Sequence, residues 1–139
     1  MVILGQRWAE TYMHHNPAVT VQVTGGGSGT GIAALINGGT DICEASRPMK
    51  PKEREAVKTR RGKDVLEIPV ALDGIAIYVH KDNPLASVSL PQLKAVYTGQ
   101  VKDWKDLGGA PGRIVAYSRE NNSGTYVYFK EHVLENEDF

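Results

Sequence analysis

Apolar residues along the chain recur first at helical and then at strand spacing. Leu4, Trp8, Tyr12 and Met13 alternate with Gln6, Arg7, Glu10 and His14, which predicts a helix over 4–15. Asn16-Pro17 ends it, because the residue before a proline is pushed out of the helical region. The β-branched alternation over 19–24 predicts a strand, the Gly/Ser/Thr cluster over 25–31 a tight turn, and the apolar run 32–36 a buried helix face stopped at Asn37-Gly38-Gly39. A short strand over 41–45 precedes Ser46-Arg47-Pro48-Met49, and 51–61 predicts a charged helix ended by Gly62. Its charges, among them Glu53, Arg54 and Lys58, read as a solvated face.

Residues 65–80 form the longest apolar stretch, broken by Pro69 and Asp73-Gly74. Two strand pieces are expected there, the second of the fully buried kind found in parallel sheets. Ser89 then predicts a helix cap, with Pro91 just inside, a buried face of Leu90, Leu93 and Val96, and an end at Thr98-Gly99. Trp104 and Leu107 fall on a short turn that packs down, a glycine-rich loop covers 108–112, and 113–118 predicts a strand. Arg119-Glu120-Asn121-Asn122 is a turn, and Ser123-Gly124-Thr125 opens a helix that runs to about Leu134. Strands alternating with helices predict an α/β fold with a largely parallel sheet.

Composition narrows the picture. At 139 residues the chain is long enough for its own core, and 41% hydrophobic with 23% charged residues is the balance of a soluble globular chain. Lys+Arg and Asp+Glu each number 16, so the formal charge is zero, which argues against nucleic acid as a partner. No apolar run approaches the ~18 residues of a membrane span. The opening Met1-Val2-Ile3-Leu4-Gly5 is too short for a signal-peptide core, so no export signal is visible. The first helix starts almost at Met1 with no strand or cap ahead of it, and the chain reads as one cut inside an element. The lone Cys43 excludes an internal disulfide and reads as a small buried hydrophobe.

The candidate chemistry lies in a device used twice: strand, turn, then a Ser-Gly-Thr helix entrance, at 28–30 and again at 123–125. The first N–H groups of a helix lack intrahelical partners, and the macrodipole adds partial positive charge, so such an entrance suits an anion. Sharper motifs fail. From Gly25 the third position of a dinucleotide fingerprint is Thr30, Gly31 is followed by Ile32-Ala33 rather than the Lys-Ser/Thr of a P-loop, and a hydrolase elbow around Ser28 would need Gly where Thr30 stands. Arg119, four residues before Ser123, adds a planar fork suited to an oxyanion. His14, His15, His80 and His132 show no zinc-site spacing with carboxylates, and neither Ser28 nor Ser123 has a histidine near it in sequence.

The motifs over 23–32, 41–47, 68–76, 92–109 and 118–125, in that order, resemble the phosphate-binding proteins of bacterial phosphate ABC importers, the PstS-like branch of the periplasmic-binding-protein superfamily. The resemblance covers nearly the whole chain. It implies a type II periplasmic-binding-protein-like α/β fold of two lobes with largely parallel sheets, both incomplete here: residues 1–78 as a first lobe without its opening strand and loop, and 79–139 as the start of a second, with the crossover near 77–80. It implies binding of inorganic phosphate held dehydrated between the lobes, an ABC importer permease as partner, a periplasmic or extracytoplasmic location, no cofactor and no enzymatic activity. The implied phosphate-binding set is Ser28, Gly29 and Thr30 of the glycine loop, Ser46 and Arg47, Asp73, and Arg119, Ser123, Gly124 and Thr125.

Two departures qualify the resemblance. The family begins with a strand and a loop that supply ligand donors ahead of the part matching 2–8, and it continues well beyond Phe139, so the chain reads as roughly half of a full member. Some members carry an aspartate where Arg47 stands, as acceptor for the proton of hydrogen phosphate, and Asp73 is the candidate replacement. Sulfate has no such proton at neutral pH, so an ionised acceptor facing it leaves two acceptors unpaired. The alternatives carried forward are a binder of another oxyanion, sulfate or molybdate, and a truncated, self-associating module without ligand binding. An enzyme using the glycine loop for a phosphorylated cofactor would need a general base near that loop, and none is found.

Overall fold

A computed structural model describes residues 2–139. It divides into two compact units: one runs to Glu67 and includes Asn122–Gly124, and the other comprises Ile68–Asn121 with Thr125–Phe139.

The first unit carries helices α1 (Val2–His15), α2 (Ser28–Asn37) and α3 (Pro51–Arg61). All three end where the stop signals put them, and α2 starts at Ser28, inside the cluster whose spacing predicts a turn. Gly38 follows α2 and Gly62 follows α3, both in the left-handed region at φ 77° and 66° that favours glycine, and each closes its helix by donating to carbonyls of the last turn. Ile32 of α2 and Val57 of α3 are buried and the two helices pack together. Arg61 at the end of α3 donates to the Leu35 and Thr40 carbonyls at 3.2 and 3.0 Å, fixing how the C-terminal ends of α2 and α3 meet. On α1 the buried positions are Gly5 and Ala9, while Leu4, Trp8 and Tyr12 are about half exposed. The helix therefore buries its small residues and turns its large ones outward.

The second unit carries α4 (Leu90–Tyr97), a single 3-10 turn at Trp104–Leu107, and the body of α5 (Gly124–His132). Ser89 caps α4 as expected, its Oγ accepting from the Gln92 N–H while Gln92 reaches back to the Ser89 N–H at 2.9 Å. The expected buried face of α4 is only partly found, because Leu90 is exposed while Leu93 and Val96 are half-buried. The core here is aromatic. Phe129 and Leu134 are buried, Tyr97 packs edge-on to Phe129 at 4.8 Å, and Phe139 stacks on Tyr126 at 4.6 Å.

The largely parallel sheets expected over 19–24, 41–45, 65–80 and 113–118 do not form as strand ladders among the described residues. The pairing found is one antiparallel bridge between Asp103 and Arg113, flanked by Trp104 N–H to Gly112 O at 2.8 Å and Ile114 N–H to Lys102 O at 2.9 Å. The piece after Asp73-Gly74, expected to be a fully buried strand, is instead open, with Tyr78 89% exposed, and Leu72 in the piece before it is wholly exposed. The reason is physical. A helix closes its hydrogen bonds within four residues, whereas a strand is completed by a neighbour, and a buried strand also by layers on both faces.

Two substitutions measure this difference in burial. Ile32→Ala leaves a cavity between α2 and α3 and is expected to cost about 2–5 kcal/mol in urea unfolding. Leu72→Ala, on a fully exposed side chain, is expected to stay within about 0.5 kcal/mol of the parent.

Candidate functional site

In the first unit the entrance at 28–30 meets Asn122, Ser123 and Gly124 at the second entrance. Gly27 precedes α2 in an extended conformation, so Ser28 is the first helical residue and the N–H groups of the first turn face out of the helix end. Asn122, just before the second entrance, lies across this end. Its carbonyl accepts from the Gly29 N–H at 3.0 Å and its amide donates to Thr30 Oγ1 at 3.2 Å. The approach is so close that a Cβ on Gly27 would fall on the Asn122 carbonyl. Glycine is needed there for space.

Beside it, Ser28 Oγ accepts from the Ser46 N–H at 3.1 Å, and the two hydroxyls are 3.2 Å apart. Gly124 seats directly on this pair, since a Cβ at 124 would overlap both Ser46 Oγ and Ser28 Oγ. Ser28 is 8% and Ser123 3% exposed, the two buried polar residues of the described chain. The structure thus gathers Ser28, Gly29, Thr30, Ser46, Ser123 and Gly124 into one cluster of hydroxyls and N–H groups at a helix N-terminus. Chemically this is an uncharged donor set with a positive dipole end, which suits an oxyanion. Among the described residues no hydrogen bond joins a serine to a histidine, and no group of three His, Cys, Asp or Glu is poised to hold a metal.

Arg47 follows Ser46, and its guanidinium forms a two-pronged pair with Glu53 at 2.8 and 2.9 Å with its side chain 9% exposed. The Arg47 hydrogen bond, ahead of the Lys50 N–H, holds the Glu53 carboxyl below its ordinary value. Cys43 lies against Gly31, and burial pushes its thiol up, as for a packing residue rather than a nucleophile.

The remaining candidates belong to the second unit. Arg119 and Thr125 line one cavity of about 300 Å³, walled by Tyr97, Tyr117, Tyr126 and Phe129. Arg119 is 59% exposed and pairs with Glu120 at 3.2 Å. Asp73 does not line that cavity, and its carboxylate accepts the Gly74 N–H at 2.8 Å.

Two contributors escaped the reading of the sequence, Asn122 and Glu53. Glu53 had a visible signal: an acidic residue in the third helical position after Lys50-Pro51 reaches back to the helix start, here to the Lys50 N–H at 2.7 Å. Asn122 had none, because its bonds to 29 and 30 cross more than ninety residues of chain.

A family described as the PBP superfamily domain matches residues 3–138, and the chain belongs to that family. Among individual proteins, it is 37% identical to the phosphate-binding protein PstS of Pseudomonas aeruginosa, over 95% of this chain and 45% of that one. It is 33% identical to the phosphate-binding protein PstS of Bacillus subtilis, over 91% and 41%. A solved structure described as a phosphate ABC transporter substrate-binding protein with bound phosphate, from Clostridium perfringens, superposes with a TM-score of 0.80 at 38% identity, over 92% of this chain and 50% of that one. The ABC-type phosphate transport receptor of Vibrio cholerae gives 0.73 at 31%, over 94% and 50%. The fold is that of periplasmic phosphate-binding proteins, and the chain spans about half the length of the relatives it matches.

The close seat of Gly124 makes a direct test. Gly124→Ala must displace Ser28 or Ser46, and is expected to destabilise the chain by about 1–3 kcal/mol in thermal or urea unfolding. The acid limb gives another. Because the folded Glu53 carboxyl lies below its ordinary value of 4.5, its contribution is fully present above that value and is lost as pH falls through the lowered one. Glu53→Gln is therefore expected to destabilise the chain at neutral pH and to flatten its loss of stability below about pH 4.5, as read by Tm against pH.

Proposed function

We propose that this chain is part of the solute-binding component of a phosphate ABC transporter and that it binds inorganic phosphate without catalysing a reaction. The observation that carries this reading is the meeting of Ser28, Ser46 and Gly124 at the N-terminus of α2. It is a donor set of hydroxyls and N–H groups at a positive dipole end, with no general base among its hydrogen bonds. The relatives named for phosphate binding support it, as does the solved relative described with phosphate bound. In this reading the donors are Ser28, Gly29, Thr30, Ser46, Ser123 and Gly124, together with Arg119 and Thr125, which line a cavity of their own. A transporter permease is the proposed partner and an extracytoplasmic compartment the proposed location. No described helix is long and apolar enough to cross a membrane.

A second oxyanion, sulfate or molybdate, is kept as an alternative on one observation. Every group in the first-unit cluster donates or can donate, and Arg47 stands paired with Glu53 at the position where some family members carry an acceptor. Asp73 is the proposed acceptor for the proton of hydrogen phosphate.

Calorimetric titration of the phosphate-free chain tests the reading. Phosphate is expected to bind with sulfate ignored, and Arg119→Ala to weaken binding by about 10- to 100-fold, the scale of losing a charge-assisted pair, while Lys58→Ala leaves it unchanged. Equal affinities for these two variants would remove Arg119 from the set, and equal affinity for sulfate would favour the alternative.

A further inference from the structure

We infer that Arg47 and Glu53 form a positioning clamp that holds Ser46 against Ser28, and that Arg47 acts on a bound anion through Ser46 rather than by touching it. The inference rests on the phosphate reading above for its ligand. Its geometry stands on the first unit alone.

The clamp closes a short loop. Glu53, in the first turn of α3, takes both guanidinium arms of Arg47 at 2.8 and 2.9 Å, and the same carboxylate accepts the Lys50 N–H at 2.7 Å. Arg47 in turn donates to the Pro48 carbonyl at 2.9 Å. Residues 47, 48 and 50 are thereby tied to the start of a helix that itself packs on α2 and is fixed to it through Arg61. The next residue back along this tethered loop is Ser46, whose N–H donates to Ser28 Oγ at 3.1 Å. Ser28 and Ser46 are aligned only if the 46–50 loop is held at the right height over α2, and the planar guanidinium–carboxylate fork supplies a rigid strut of fixed length. The pair also cancels its own charge. A guanidinium held by a carboxylate at these distances offers an anion far less attraction than a free one, which argues for a supporting role.

The two roles predict opposite signs. If Arg47 were an anion ligand, Glu53→Gln would release its positive charge and strengthen phosphate binding. If the pair is a clamp, Glu53→Gln and Arg47→Met should both weaken it by about tenfold, and the double variant should be no worse than either single one. A second readout needs no phosphate: amide hydrogen exchange at Ser46, by NMR on the whole chain. Both single variants are expected to speed exchange of the Ser46 amide at least tenfold while the Leu35 amide in α2 stays as in the parent. Tighter or unchanged phosphate binding in Glu53→Gln, with Arg47→Met weakened, would overturn the clamp in favour of direct contact. Unchanged Ser46 exchange in both variants would overturn it whatever phosphate does. If the parent chain binds no phosphate but the exchange result holds, the phosphate reading fails and the clamp stands.

Discussion

The first unit depends on one contact, the Ser28 hydroxyl accepting the Ser46 N–H under Gly124. Three segments far apart in sequence share that point: the start of α2, the loop before α3, and the start of α5. None of them offers bulk there. The positions nearest the contact are glycine or serine, because any larger side chain would separate backbones that must touch. The glycine loop therefore serves less as a flexible turn than as a thin wall. Gly27 and Gly29 let Asn122 lie flat across the helix end, and Gly124 lets the second entrance sit on the first.

That arrangement explains how the site and the stability of the unit are linked. The buried hydroxyls of Ser28 and Ser123 belong at the junction where the segments meet, and a buried polar group is tolerated only where partners surround it. Ser28 has its partner in Ser46, which the loop to α3 carries. The candidate cluster is thus built into the packing rather than added to its surface, so a change to its donors is also a change to the packing.

The helices were legible in the sequence almost to the residue and the sheets were not, for one reason. The stops at Gly38 and Gly62, the Ser89 cap and the Pro51 start are local signals read by local hydrogen bonds. The β-branched run at 19–24 and the apolar run at 65–80 carry equally clear patterns, but pattern says only which way side chains alternate. What completes a strand is a neighbour, and the described residues pair only Asp103 with Arg113. Burial misled in the same way on α1, where spacing singled out Leu4, Trp8 and Tyr12 while close packing selected Gly5 and Ala9. Of the candidate site, the serines and glycines of both entrances were visible because their motif repeats. The partnership of Arg47 with Glu53 was hidden because the charges of α3 read as a solvated face.

Charge supplies the last step. The chain as a whole is formally neutral, with 16 residues of each sign. Beside the first-unit cluster the Arg47 guanidinium is paired at contact with Glu53. What the cluster offers is directional: the hydroxyls of Ser28 and Ser46, the N–H groups of the first turn of α2 other than that of Gly29, which Asn122 takes, and the dipole behind them. In the proposed phosphate reading such a set selects by geometry more than by charge, since each donor must find an oxygen at its own position, and a buried donor left unpaired costs about 1–3 kcal/mol.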